Sequence, residues 1–124
     1  MLTGASPTKS KYHNQKIEYN GETFDSKKEY EYFLILKDRE KRGEIIDLKR
    51  QYPIEIQPAF EMPNGKKIRA ITYIADFVYY EVLPDSYRSM IYPRHVVDVK
   101  GMKTDVYKLK KKLLAYRGIF IEEV

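Results

Sequence analysis

The stretch KKIRAITYIADFVYYEV, residues 66–82, constrains the fold more than any other part of the chain. Side chains leave a strand on alternate faces, so Ile68, Ala70, Thr72, Ile74, Asp76, Val78, Tyr80 and Val82 share one side. Ile71, Tyr73, Ala75, Phe77 and Tyr79 take the other. Both sides are largely apolar, which predicts a long central strand covered on both faces. Asp76 then interrupts a packed surface, where a desolvated carboxylate is costly unless a cation or hydrogen-bond donors satisfy it.

Around this strand the chain reads as a mixed α/β sheet. KIEYNGETF predicts a small β-hairpin turning at Asn20-Gly21. DSKKEYEYFLILKDREKRG opens on a capping residue and closes at Gly43, which predicts a helix over about 26–42. Ile45 to Gln57 reads as extended, with Pro53 and Pro58 marking edges, and Pro63-Asn64-Gly65 as a turn. LPDSYRSMIYPR reads as a surface loop with a short helical turn. A strand at HVVDV, a helix from about Thr104 to Tyr116 and a last strand in IFIEEV complete the order. The β–α–β ending predicts a right-handed parallel crossover. One domain over 17–124 is expected, preceded by a flexible basic arm over 1–16.

Composition removes several chemistries. With no cysteine there is no disulfide, no thiolate nucleophile and no cysteine-bound zinc, so a metal would be held by oxygen or by His13 and His95. Hard cations are the natural remainder. No apolar run approaches the ~18 residues that span a bilayer, and Met1 to Ser10 lacks the apolar stretch of a secretory signal. A cytoplasmic protein without a membrane partner is expected. The net charge of +5 is unevenly spread: residues 100–117 alone carry +6, from seven basic side chains and Asp105. Such a run is either the electrostatic footprint of a polyphosphate or a solvated helix face.

The strand at HVVDVKGMKTD adds a second acid inside the sheet. Asp98 and Lys100 are two apart and so leave the same face. Glu29 is a third, sharing a helix stripe with Phe33 and Leu36 and so facing inward. It fits two roles, because Ser26-Lys27-Lys28-Glu29 is also a capping box. Asp76 and Asp98 likewise have a bland alternative, a buried salt bridge with Lys100 or an arginine. Carboxylates and a lysine converging at one sheet edge would instead make an oxygen site for Mg²⁺ or Mn²⁺, suited to phosphodiester hydrolysis. The basic run would then hold the nucleic-acid backbone through Lys103, Lys108, Lys110, Lys111 and Lys112.

An inward helix acid, a strand aspartate and Asp-x-Lys on the next strand, followed by a helix, together resemble the PD-(D/E)XK nuclease superfamily. FDSKKE, YIADF and DVKGMKTDVYKLKKKLL are similar to a group of small phage and prophage proteins within it that are compared with Holliday-junction resolvases. The resemblance covers about residues 11–124, and Ala75 stands where the motif has proline. It implies a restriction-endonuclease-like core, magnesium dependence and DNA cleavage, with branched or junction DNA as a candidate substrate and pairing as a homodimer. It implies that Asp76, Asp98, the Val99 backbone carbonyl and Glu29 hold the metal, and that Lys100 positions the nucleophile. For a phage-encoded chain the compartment would be the host cytoplasm.

Other residues have a functional and a plainer account. His95 could transfer protons but reads first as packed or solvated, and His13 lies in the arm; Gln51 and Gln57, on the strand before Asp76, could touch the site but read first as edge-of-sheet hydrogen bonding; Tyr73, Tyr79 and Tyr80 could stack on bases or line a dimer contact but read first as core. Two other functions compete with the enzyme: a catalytically silent DNA-binding module of the same fold, and a structural phage component with paired internal charges.

Overall fold

A computed structural model of the chain describes residues 16–84, 92–99 and 101–124. The basic arm up to residue 15, the helical turn expected within 85–91 and Lys100 lie outside the described residues. The elements are β1 (Ile17–Tyr19), β2 (Glu22–Phe24), α1 (Lys27–Lys41), β3 (Ile45–Gln57), β4 (Phe60–Glu61), β5 (Lys67–Ile68), β6 (Ile71–Glu81), β7 (Arg94–Asp98), α2 (Asp105–Tyr116) and β8 (Ile121–Glu123).

The order β3-β6-β7-β8 forms a mixed four-stranded sheet, antiparallel at β3/β6 and β6/β7 and parallel at β7/β8. The β1/β2 hairpin is present, with Asn20 and Gly21 both in the left-handed region (φ 51° and 79°). Those two positive angles give the tight turn whose twist matches the flanking strands. Pro53 is accommodated inside β3 because β3 is an edge strand, where a missing N–H costs no ladder bond on the inner side. Both helices start as their sequences require: the Ser26 hydroxyl accepts from Glu29 N–H, and the Thr104 hydroxyl accepts from Tyr107 N–H.

Two expectations about the long strand are corrected. It is not continuous: Lys67–Ile68 leave the sheet and pair with Phe60–Glu61 in a separate ribbon, and the central strand is Ile71–Glu81. Nor does its alternation run unbroken. Tyr73 and Ala75 pack with Val78, Tyr107 and Leu114 on the α2 face, whereas Phe77 and Tyr79 pack with Phe24, Phe33 and Leu36 on the α1 face. The odd positions therefore change face across Asp76. β3 changes face at the same level, since Tyr52 and Ile54 join the α2 side while Leu48 packs on the α1 side. The pairing register is the same on both sides of this point, Tyr52 with Ala75 and Arg50 with Phe77. Gln51, opposite Asp76, takes a left-handed backbone (φ 49°). The two strands thus turn over together, and Asp76 sits at the turn rather than on a packed surface.

Arg50 ties the hairpin to this body. Its guanidinium lies 3.8 Å over the Phe24 ring, bonds Glu22 at 2.8 Å and the Thr23 carbonyl at 2.9 Å, and comes within 3.5 Å of Glu29. Among the described residues no helix is long and apolar enough to cross a membrane.

At the far edge, Glu123 clasps α2 to the sheet. Its carboxylate accepts from the Tyr107 hydroxyl at 2.7 Å and meets Lys103 and Lys111, each at 3.0 Å. The Tyr107 bond first, then the two lysines, hold its pKa down at about 2, against an ordinary value of 4.5. A depressed acid contributes stability that is present above its unfolded value and lost as the pH falls through the folded one. Between pH 4.5 and about 2, the wild type should therefore lose stability faster than Glu123→Gln, a difference read from urea midpoints at stepped pH; parallel curves would show that the clasp adds nothing.

Candidate functional site

The strand turn at Gln51 and Asp76 assembles the site. Asp76 Oδ2 accepts from the backbone N–H of Val99 at 2.8 Å, joining the middle of β6 to the residue after β7. Asp98, the last residue of β7, is buried, and its Oδ2 accepts from the Tyr73 hydroxyl. Asp98 is also within hydrogen-bonding reach of Asp76. Two of the acids singled out in the sequence thus meet on adjacent strands.

Gln51 brings in the third. Its Nε2 donates to Glu29 Oε2 at 3.0 Å and to Asp76 Oδ1 at 3.3 Å, so one amide stands between the two carboxyl groups. The other oxygen of Glu29 accepts from Asp25 N–H at 3.0 Å, while Glu29 N–H donates to the Ser26 hydroxyl. Glu29 is therefore both a helix cap and a neighbour of the acid pair. Its return bond goes to the residue before the N-cap rather than to the cap itself. Hydrogen bonds to charged groups are worth ~1.5–3 kcal/mol, enough to outweigh the ~1–2 kcal/mol cost of a left-handed non-glycine residue at Gln51.

Burial sets the electrostatics. Desolvation is the main reason that the Asp76 pKa rises from 3.8 to about 7, with the Asp98 carboxyl adding to it and the Val99 N–H opposing it. Burial also raises Glu29 above the ordinary value, against the lowering effects of the Asp25 N–H and Arg50. The Tyr73 hydroxyl is pushed far up, first by burial and then by Asp98, and so remains a donor.

Among the described residues, no group of three or more Asp, Glu or His side chains is close enough to hold a metal ion. The donor set nonetheless fits a hard divalent cation. It is all oxygen, it has two carboxyl groups near enough to hydrogen-bond, and a third carboxylate lies one amide away. The like charge that lifts the Asp76 pKa is what such a cation would offset. Beside Gln51 a cleft of about 480 Å³ opens between the hairpin, α1 and β3, with Lys37, Lys49 and Arg50 in its lining.

The basic residues divide into two sets. Lys110 donates to the Thr72 carbonyl at 2.8 Å, and Lys103 and Lys111 are held by Glu123. Lys108 and Lys112 are exposed and form no ion pair among the described residues. His95 lies three residues up β7 from Asp98, between Glu81 at 2.9 Å and Glu122 at 2.5 Å and stacked on Tyr79. It is half-buried and held by these two acids. Gln51 is the site residue that the edge-of-sheet reading undervalued; no local signal marks it, because its importance comes from a residue 25 positions away.

The chain belongs to the family described as Protein of unknown function (DUF1064), whose match covers residues 9–123. No curated protein and no solved structure matches the chain.

Because the Asp76 pKa is higher folded than unfolded, the stability tied to its protonated form is full below 3.8 and lost as the pH rises through about 7. Metal-free wild type should accordingly become less stable over that interval, and Asp76→Asn should flatten the change. Equal slopes in the two proteins, from thermal unfolding at stepped pH with chelator present, would contradict this assignment.

Proposed function

We propose that this member of the DUF1064 family is a metal-dependent DNA endonuclease that hydrolyses phosphodiester bonds, with branched or four-way-junction DNA as its leading substrate class. The observation that carries the reading is the pairing of Asp76 with Asp98 across adjacent strands, tied to Glu29 through Gln51. A protein that only bound DNA would gain nothing from carboxyl groups gathered there, since they repel phosphate.

Mg²⁺ or Mn²⁺ would be held by Asp76 and Asp98, with the Val99 carbonyl and Glu29 as the further ligands that the resemblance to PD-(D/E)XK nucleases implies. Such a cation supplies charge neutralisation at the phosphate and a more acidic bound water. The chain's own part is to hold the carboxyl groups in place. Val99 N–H fixes one oxygen of Asp76, Tyr73 fixes one oxygen of Asp98, and Gln51 sets the separation of Glu29 from Asp76. Lys100, two residues beyond Asp98, is assigned the role of orienting the attacking water. Lys108 and Lys112 are the α2 residues assigned to the DNA backbone, while Lys103, Lys110 and Lys111 serve first to dock α2. Cutting two strands calls for two such sites, hence a homodimer.

The competing reading, a silent DNA binder of the same fold, draws on the fact that three converged acids are not found among the described residues. Supercoiled plasmid and a four-way junction, incubated with Mg²⁺, Mn²⁺ or chelator, separate the two. Metal-dependent cutting is expected, with Asp98→Asn and Lys100→Ala each reducing it by about 100-fold or more while DNA affinity survives. A folded wild type that binds both substrates and cuts neither with either metal would establish the binder.

The lysine assignment is checked separately. Lys108→Ala with Lys112→Ala should weaken DNA binding and lower the slope of log K against log salt by about 2. An unchanged slope in fluorescence anisotropy titrations would place the DNA elsewhere.

A further inference from the structure

Helix α2 has two apolar faces. Tyr107 and Leu114 are buried against the sheet, as the docking of the helix requires. On the outward side Val106, Leu109, Leu113 and Tyr116 follow one another at steps of three, four and three residues, and all four are exposed, Tyr116 at 93%. Met102 just before the helix and Phe120 just after it are also exposed, at 53% and 70%. A surface helix ordinarily keeps its outer face polar. Alternating steps of three and four are instead the spacing of a seam between paired helices. Together the six side chains expose on the order of 700 Å² of mainly apolar surface, close to the ~800 Å² that each partner contributes to a standard interface.

We propose that this seam joins two copies of the chain, α2 lying antiparallel to α2 of the second copy about a two-fold axis that passes between Leu109 and Leu113. The side chains are sized for that arrangement. Antiparallel pairing sets Leu109 against the partner's Leu113, and Val106 against the partner's Tyr116, so each layer joins two medium side chains or one small with one large. A parallel pair would stack Tyr116 on the partner's Tyr116 and leave Val106 facing the partner's Val106, overfilling one end and underfilling the other. The contact is isologous and closes on itself.

Both flanks of the seam are basic, and charge opposes a second copy least along the flank whose cations are held by their own protomer. Lys110 is bonded to the Thr72 carbonyl, Arg117 to the carbonyls of Glu55 and Ile56, and Lys103 to Glu123, so these three are engaged within their own protomer. On the other flank Lys112 approaches the partner's Lys112, with Lys108 beside it. That repulsion gives the dimer a signature: added salt screens it and tightens the pair. An acidic partner docked on the same seam would be loosened by salt. The pairing also aligns Lys108 and Lys112 of both copies along one edge of the joined helices. It supplies a surface for the homodimer proposed above, yet it stands or falls without any cleavage assay.

Sedimentation equilibrium of the full-length chain tests it. A dimer with a micromolar dissociation constant that falls with added salt is expected. Leu109→Glu with Leu113→Glu should raise that constant by at least about 100-fold, with helix content by circular dichroism unchanged. Because the chain has no cysteine, a cross-link reports the register directly. Val106→Cys with Tyr116→Cys should form a covalent dimer under a mild oxidant, and Tyr116→Cys alone should not. A wild type that stays monomeric at high micromolar concentration overturns the proposal, as does a dimer indifferent to Leu109→Glu with Leu113→Glu. Efficient cross-linking of Tyr116→Cys alone would overturn the antiparallel arrangement.

Discussion

The site depends on two carboxyl groups held side by side in a partly desolvated place by neutral donors: the Val99 N–H and the Gln51 amide on Asp76, and the Tyr73 hydroxyl on Asp98. These donors fix the carboxyl oxygens in place, while burial first and the neighbouring Asp98 carboxyl second raise the Asp76 pKa to about 7. A chain selected only for stability would place apolar side chains here, because burying a carboxyl group gains nothing that packing would not give more cheaply. The cost is concentrated at one point of the sheet, and the turn-over of β3 and β6 makes that point possible.

That turn-over links fold to site. If β6 alternated without interruption, Asp76 would share a face with Ile74 and Val78. Instead Val78 packs under α2, Ile74 is exposed and Asp76 lies at the crossing. Gln51 takes the left-handed conformation at this level, and its side chain bridges the acids from α1 and β6. Its neighbour Arg50 sits on Phe24 and holds the hairpin down. One short segment of an edge strand thus serves the site with one residue and the hairpin with the next.

Helix α2 divides its side chains among three tasks. Tyr107, Leu114, Lys110 and Lys111 fasten it to the sheet, Lys108 and Lys112 present charge, and Val106, Leu109, Leu113 and Tyr116 present an apolar stripe. The mean charge of the segment conceals this division. A run of lysines reads as one patch in the sequence, but side chains one helical turn apart and those on opposite faces meet quite different surroundings.

Local physics made much of the chain legible. Asn20-Gly21 specified the hairpin, Ser26 and Gly43 bounded the first helix, and continuous apolar, β-branched and aromatic runs marked β6 and β7, because each signal acts through backbone conformation or side-chain direction over a few residues. The acids Glu29, Asp76 and Asp98 stood out for the same reason, as charges in patterns that bury their neighbours. What only the tertiary structure decided is which side chains meet. The face change at Gln51 and Asp76, the amide between Glu29 and Asp76, and the capture of Lys103 and Lys111 by Glu123 all join residues far apart in sequence. Such contacts leave no local periodicity, since they form only when strands and helices have already been set side by side.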